Sequence, residues 1–272
     1  MNRKKLLISL AMAMLSMAGL AADNLPALRV EGRNLVDANG KIVVLHGVMD
    51  TPNRYFNGWR WQQWKPDYSE ADIKPCLEYF SKQFSAITDK KQGAYCTVFR
   101  LHMDPCWTND PSKKAENEAD ISAFNMARYR LYLQKLYIPL IKDAIAHGLY
   151  VIVRPPGVCP GDISVGDEYN RYLKGIWKAF AADEYIKQNE GVISIELANE
   201  PVRVHLSDGT KDERALHDYF QPVVDVIREQ GFKGIIWVPG AGYQSQYQDY
   251  LSPIARTTSL MQYMFIPGGM EI

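Results

Sequence analysis

Three helical patterns in the chain each end at or just before a glycine, and a short apolar run follows at once. The helical patterns span residues 126–147, 170–189 and 213–230, and the glycines are Gly148, Gly191 and Gly231. Glycine readily adopts the left-handed conformation that ends a helix, and a short continuous apolar run is typical of a strand buried on both faces. The repetition predicts parallel strands joined by helical crossovers, which is an α/β fold.

Six apolar runs are present, at residues 42–48, 95–101, 149–153, 192–198, 234–238 and 259–266. A closed (β/α)8 barrel needs eight strands and commonly takes about 250 residues or more. We therefore predict a (β/α)8 TIM barrel that is incomplete in this chain, with about six βα units present. An open six-stranded sheet is the alternative. Residues 28–42 predict a β-hairpin with a turn at Asn39 and Gly40, which we expect to cap the bottom of the barrel.

The beginning of the chain predicts an export signal over residues 1–21. A basic region, Asn2 to Lys5, precedes an uncharged apolar stretch at residues 6–20, and small residues follow at the expected cleavage site. That stretch is shorter than the ~20 residues that span a bilayer. We expect a periplasmic or secreted protein with no membrane span in the mature chain and one catalytic domain over residues 22–272.

An exported chain can form disulfides, and this one has four cysteines, Cys76, Cys96, Cys106 and Cys159. Four cysteines allow three pairings. Cys106 and Cys159 both follow predicted strands and could meet, but a buried free thiol is an equal alternative for each.

The charge balance argues against a nucleic-acid partner, because 31 Lys and Arg match 31 Asp and Glu. No cluster of His, Cys, Asp and Glu has the spacing of metal ligands, so we expect no metal cofactor. We expect a monomer.

The fourth apolar run ends in Asn199, Glu200 and Pro201. Catalytic residues of barrels lie at the carboxyl ends of the strands. In glycoside hydrolysis one carboxyl group donates a proton to the leaving oxygen, and a neighbouring amide can hold the 2-hydroxyl of the sugar. Asn199 and Glu200 are candidates for these roles, although the tripeptide alone also fits a solvated carboxylate at a turn.

The chain resembles glycoside hydrolase family 5, the cellulase and mannanase family, over nearly all of residues 28–266. The resemblance is carried by three motifs: residues 35–48, the Val98-Phe99-Arg100 strand, and residues 195–201, Ile-Glu-Leu-Ala-Asn-Glu-Pro. It implies a retaining endo-β-1,4-glucanase that hydrolyses internal bonds of cellulose or related plant polysaccharides without a cofactor. By the same resemblance Glu200 is the acid/base, Asn199 binds the 2-hydroxyl, and Arg100 supports the nucleophilic carboxylate.

Other readings stay open. A β-mannanase or xyloglucanase of the same fold would share this chemistry, and a non-catalytic glycan-binding barrel would keep the fold without the nucleophile. Arg100 could instead form a structural ion pair with Glu196, which strand alternation places on the face of Glu200.

Further substrate-binding candidates lie at strand ends and in loops. His46 stands where many family members have an arginine, and residues 154–157 depart from the family's Asp-Trp-His. His46 and His102 could contact sugar or serve as hydrogen-bonded structural residues. Tryptophans suit the C–H faces of sugars, and four lie in loops after the first two strands: Trp59, Trp61, Trp64 and Trp107. We take Trp59 and Trp107 as candidate platforms.

A retaining mechanism needs a second carboxylate about 5–5.5 Å from the first. In the family it comes from the seventh strand, which we do not find in this chain, and Glu271 is a weak substitute. Residues 261–272 do not resemble the family, but a neighbouring reading frame allows Ala-Val-His-Val-Tyr-Pro-Gly at that place. We expect a frameshift near residue 260, with strands seven and eight in the corrected protein, and we expect the chain as written to fold poorly or to be inactive.

Overall fold

A six-stranded parallel sheet is the centre of the computed structural model, which describes residues 25–53, 67–251 and 264–265. In chain order the strands are β1 (Arg29–Glu31), β2 (Asn34–Val36), β3 (Gly47–Asp50), β4 (Val98–His102), β5 (Tyr150–Arg154), β6 (Asp162–Ser164), β7 (Ile193–Glu196), β8 (Arg203–His205), β9 (Ile236–Trp237) and β10 (Met264–Phe265). The sheet order is β3, β4, β5, β7, β9, β10, and every neighbouring pair is parallel. The predicted α/β fold with parallel strands is confirmed.

Helices connect these strands where the glycine junctions predicted them. The main helices are Ile73–Ile87, Met126–Tyr132, Ile138–Ala146, Glu168–Ala181, Glu184–Gln188 and Ala215–Glu229, and shorter ones are Pro105–Thr108 and Ala241–Gln244. The pattern predicted at residues 170–189 is broken because Asp183 starts a new helix, accepting hydrogen bonds from the amides of Tyr185 and Ile186.

The long helical pattern at residues 126–147 contains a π-helical turn at Leu133–Tyr137. Pro139 lies in the first turn of the helical segment that follows. Proline has no N–H to donate and its ring crowds the preceding turn, so the hydrogen-bond ladder widens before it. The helix still buries one face, and the predicted crossover is present.

One core lies between the sheet and its helices. Phe99 and Leu101 of β4 point to this side and are almost fully buried. Phe80 and Phe84 of the helix Ile73–Ile87 pack on Phe99, with ring centroids 5.9 and 5.0 Å away. Because side chains alternate across a strand, Val98, Arg100 and His102 face the opposite, inner side.

The β1–β2 hairpin closes the inner side at the amino ends of the strands. Leu35 packs with Ile235 and Trp237 in a separate buried cluster, and Leu28, Val30, Leu45 and Ile152 lie against it. The structure therefore supports the expectation that this hairpin caps the bottom of the barrel.

The first barrel strand begins later than the apolar pattern predicted. Residues 42–48 were expected as a strand, but Ile42 forms an antiparallel bridge to Val36 and Val43 donates to Leu35, so this segment extends the hairpin. The strand proper starts at Gly47. His46 therefore lies at the amino end of β3, opposite the predicted catalytic end, with its ring edge-on to Tyr95 at 5.4 Å. This place, at the end of the sheet opposite to Glu200, does not support the sugar contact considered for His46.

The edge strand β3 exposes apolar side chains. Within the described residues it pairs with β4 alone, and Val48 and Met49 are 44% and 52% exposed. Within those residues β3 is therefore an uncovered edge of the sheet. No helix in the described part of the chain is long and apolar enough to cross a bilayer.

Candidate active site

Arg100 and Glu196 form an ion pair on the inner side of the sheet. Nε of Arg100 donates to Oε2 of Glu196 at 2.5 Å, and Nη2 donates to Oε1. Glu196 is 7% exposed, and Gln244 also donates to its Oε1 at 3.3 Å. The pairing of Arg100 with Glu196, one of the two roles considered for this arginine, is present in the structure.

The same guanidinium also reaches Asn199. Nη2 of Arg100 donates to the side-chain oxygen Oδ1 of Asn199 at 3.0 Å. The backbone carbonyl of Asn199 accepts from the backbone amide of Cys159 at 3.0 Å. Since Arg100 binds the oxygen of the side-chain amide, the NH2 group of that amide is the part that can donate to a ligand hydroxyl. The arrangement suits the predicted role of Asn199.

Glu200 differs from its buried neighbours because its side chain is exposed. It also has φ of 54°, in the left-handed region. A residue with a Cβ adopts this conformation at a cost of roughly 1–2 kcal/mol. Such strain occurs at functional sites when the surrounding structure enforces it. The backbone thus holds an exposed carboxyl group directly after the strand end that carries Asn199.

A second strained segment holds the turn after Glu200. The amide of Tyr243 donates to the carbonyl of Pro201, and the amide of Gly242 donates to that of Val202, each at 2.9 Å. Tyr243 and Gln244 have φ of 58° and 66°. Within the described residues, Glu200, Tyr243 and Gln244 are the non-glycine residues with positive φ. Because the loop of Tyr243 is bonded to the turn after Glu200, all three lie at the end of the sheet that carries Glu200.

His102 and Arg154 lie side by side at the carboxyl ends of β4 and β5, and both are buried. Burial lowers the pKa of His102 well below its usual value, and Arg154 and Arg100 lower it further, while a hydrogen bond with the Gly157 backbone opposes the shift. Burial, with repulsion from Arg100, lowers the pKa of Arg154 to about 10. His102 is therefore neutral near pH 7. Its burial favours the structural role over the sugar contact considered for it.

Trp107 is a core residue and not the binding platform that the sequence predicted. It is fully buried; its ring stacks on Tyr68 at 4.7 Å, and its Nε1 donates to the Pro52 carbonyl at 2.6 Å. Trp59, Trp61 and Trp64 lie outside the described residues, as does Glu271. The site therefore brings together Arg100, Asn199 and Glu200 from the predicted set.

Sequence reasoning missed three residues of the site, Met49, Tyr243 and Gln244. Met49 contacts Arg100, with 2.8 Å between Sδ and Nη1. The run Pro239-Gly240-Ala241-Gly242 directly after an apolar strand was the available signal for a tight, backbone-bonded loop.

Chemically, the site offers an exposed carboxyl group, an oriented amide and a paired cation. The buried residues Cys76 and Cys159 carry free thiols. The described part of the chain contains no group of three or more His, Cys, Asp or Glu side chains that could hold a metal ion.

The family model for cellulase, glycosyl hydrolase family 5, matches residues 64–261. No curated protein matches the chain. Among solved structures it is similar to the catalytic domain of endoglucanase Cel5A of Thermobifida fusca, with 20% identity and a TM-score of 0.51 over 88% of this chain and 62% of that one. It is also similar to a thermostable, halotolerant GH5 cellulase from an Icelandic hot spring isolate, with 22% identity and a TM-score of 0.54 over 90% of this chain and 60% of that one.

These identities show a shared fold and no more. The chain spans about 60% of the length of the structures it matches, so the sheet described above is part of a (β/α)8 barrel.

Proposed function

Because the chain belongs to the cellulase family of glycosyl hydrolases, family 5, we propose that it is the greater part of a retaining endo-β-1,4-glucanase with Glu200 as its acid/base. The observation that carries this proposal is the exposed Glu200 carboxyl group, held in a left-handed conformation next to an amide that Arg100 orients. The substrate we propose is cellulose or a related β-linked plant polysaccharide.

In this mechanism protonated Glu200 donates to the glycosidic oxygen as the bond to the leaving sugar breaks. The NH2 group of Asn199 holds the 2-hydroxyl, a contact that strengthens as positive charge develops on the sugar ring. A second carboxylate attacks the anomeric carbon, and Glu200 then takes a proton from the water that releases the glycosyl-enzyme.

The second carboxylate is proposed to lie outside the described residues, on a seventh strand. Glu196 is a poor candidate because both of its oxygens accept from Arg100. A carboxylate that is bound from both oxygens by a guanidinium has little freedom to form a covalent bond to sugar. Arg100 would orient this nucleophile in addition to binding Glu196.

The test is reducing-sugar release from carboxymethyl-cellulose, mannan and xyloglucan by the protein whose reading frame is corrected near residue 260. Replacing a general acid typically costs about 10²–10⁴ in rate, so Glu200→Gln should lose at least about a hundredfold in kcat. Arg203→Gln is the control, since this exposed arginine of β8 pairs with Asp162 of the neighbouring strand β6. Full activity in Glu200→Gln would exclude the proposed role of Glu200. If all variants bind glycan and none hydrolyses it, the non-catalytic barrel is the correct reading.

A further inference from the structure

Away from the opening of the sheet, hydrogen bonds link a serine, a histidine and an aspartate across two helices. Oγ of Ser85, in the last turn of the helix Ile73–Ile87, lies 3.0 Å from Nε2 of His147, the residue that follows the helix Ile138–Ala146. Nδ1 of His147 lies 2.8 Å from the backbone carbonyl of Asp143 and 3.3 Å from Oδ1 of the same residue. The three groups are linked in the order that nucleophilic catalysis by serine uses.

The partners of the imidazole fix its tautomer. A carbonyl oxygen can only accept a hydrogen bond, so Nδ1 of His147 carries the hydrogen atom and donates it to the Asp143 carbonyl. In the neutral ring Nε2 then has no hydrogen atom, and it accepts from the Ser85 hydroxyl group. The ring of Phe84 lies beside the imidazole, with 6.0 Å between the centroids. His147 is therefore oriented as a general base for Ser85.

This cluster is accessible to solvent and lies at the other end of the sheet from Glu200. Ser85 is exposed, and the side chains of His147 and Asp143 are 23% and 31% exposed. Because β5 begins at Tyr150, three residues after His147, the cluster lies at the amino ends of the strands. Glu200 follows the carboxyl end of β7. The cluster is therefore separate from the site of the proposed glycan hydrolysis.

We propose that Ser85 is a second nucleophile of this protein, activated by His147, and that it cleaves small activated carboxylic esters. Oγ of Ser85 attacks the carbonyl carbon and its proton passes to Nε2 of His147. The bond to the leaving oxygen then breaks, and this oxygen keeps the electron pair and receives the proton. In the second step water attacks the acyl-serine, and His147 passes a proton from that water to Oγ of Ser85 as the carboxylic acid leaves.

The position of the cluster on two helix ends restricts the substrate to esters with a good leaving group. The last turn of a helix presents carbonyl oxygens, whereas an oxyanion hole needs N–H donors. The cluster therefore supplies a polarised hydroxyl group and a general base, and a positioned base contributes typically about 10²–10⁴ in rate. Aryl esters, whose leaving phenolate is stable, are the class that this acceleration can hydrolyse, and amides are not.

The test is the release of p-nitrophenolate from p-nitrophenyl acetate at pH 8 by the purified chain, with mass spectrometry to locate the acetyl group. Ser81 is the matched control, because it lies one turn earlier in the same helix. We expect the acetyl group on Ser85 in excess over Ser81. Ser85→Ala and His147→Gln should each release p-nitrophenolate at least about tenfold more slowly. Ser81→Ala and Glu200→Gln should keep the rate of the unaltered chain.

Melting temperatures separate this role from one in packing. If Ser85→Ala and His147→Gln melt at a lower temperature but release p-nitrophenolate at the original rate, the contact only joins the helices and the proposal is overturned. Equal acetylation of Ser81 and Ser85 would also overturn it, as would an acetyl group that stays on His147. The acetylated residue is located in the unaltered chain, so this result stands even where a variant fails to fold.

Discussion

The guanidinium of Arg100 binds both carboxylate oxygens of Glu196 across the inner face of the sheet, although the two residues are 96 positions apart in the chain. The strands that carry them, β4 and β7, are separated in the sheet by β5. The pair joins two of the strands whose carboxyl ends form the site, and it places Asn199 through a third hydrogen bond.

Breaking this pair from one side should be costly. Arg100→Met leaves the Glu196 carboxylate buried without its cation, and we expect a loss of about 3–5 kcal/mol in the free energy of unfolding. Replacing both residues, Arg100→Met with Glu196→Leu, removes both charges and should recover most of that loss. Urea unfolding of the three proteins measures this. A double variant as unstable as the single one would contradict the ion-pair account.

Glycine at position 200 should be more stable than alanine there, by about 1 kcal/mol, because alanine keeps the Cβ that is crowded at φ of 54°. At an unstrained position the order is reversed, since glycine gives the unfolded chain more conformational freedom. Both variants lack the carboxyl group, so their difference reports the backbone alone. Thermal or urea unfolding of the pair decides the sign, and the opposite order would exclude strain at Glu200.

Stability should fall as the pH falls below about 6.5, in a way that depends on His102. Burial holds the pKa of His102 well below its usual value in the folded protein, while in the unfolded chain it returns to about 6.5. Between these two pKa values the unfolded state binds a proton that the folded state does not. The contribution is therefore fully present above about 6.5 and is lost at roughly 1.4 kcal/mol per pH unit below it.

The check is the free energy of unfolding from pH 7 to pH 5 for the unaltered chain and His102→Gln. The variant should show the shallower slope. His46→Gln, which changes an exposed histidine, is the control variant. Parallel slopes for the unaltered chain and His102→Gln would contradict the shifted pKa.

The two buried thiols should resist alkylation. Burial raises the pKa of Cys76 well above its usual value, and Asp50 and Asp104 raise it further. Burial also raises the pKa of Cys159. Since the thiolate is the reactive form, iodoacetamide at pH 8 should modify neither residue in the folded protein. In urea both thiols should react, and protection that persists there would rule out burial as its cause.

The hydrophobic pattern predicted the strands with differing accuracy. The runs at residues 95–101, 149–153 and 192–198 became β4, β5 and β7, because strands covered on both faces leave a continuous apolar signature. The run at residues 42–48 predicted a strand that starts too early, because its first apolar residues belong to the hairpin and only its last two to the edge strand β3. An edge strand lacks the second neighbour that would give each face a fixed environment, so its pattern does not set its limits.

By itself the sequence determined that parallel strands alternate with helices and that a carboxyl group and an amide follow the fourth of these strands, because chain-local periodicity and glycine stops encode both. Tertiary structure decided which charged groups form ion pairs. It also decided that Trp107 is buried against Tyr68 and the Pro52 carbonyl, and that the loop after β9 is hydrogen-bonded to the turn after Glu200. These contacts join residues far apart in the chain. They depend on strand order and register, which arise only when the whole sheet assembles.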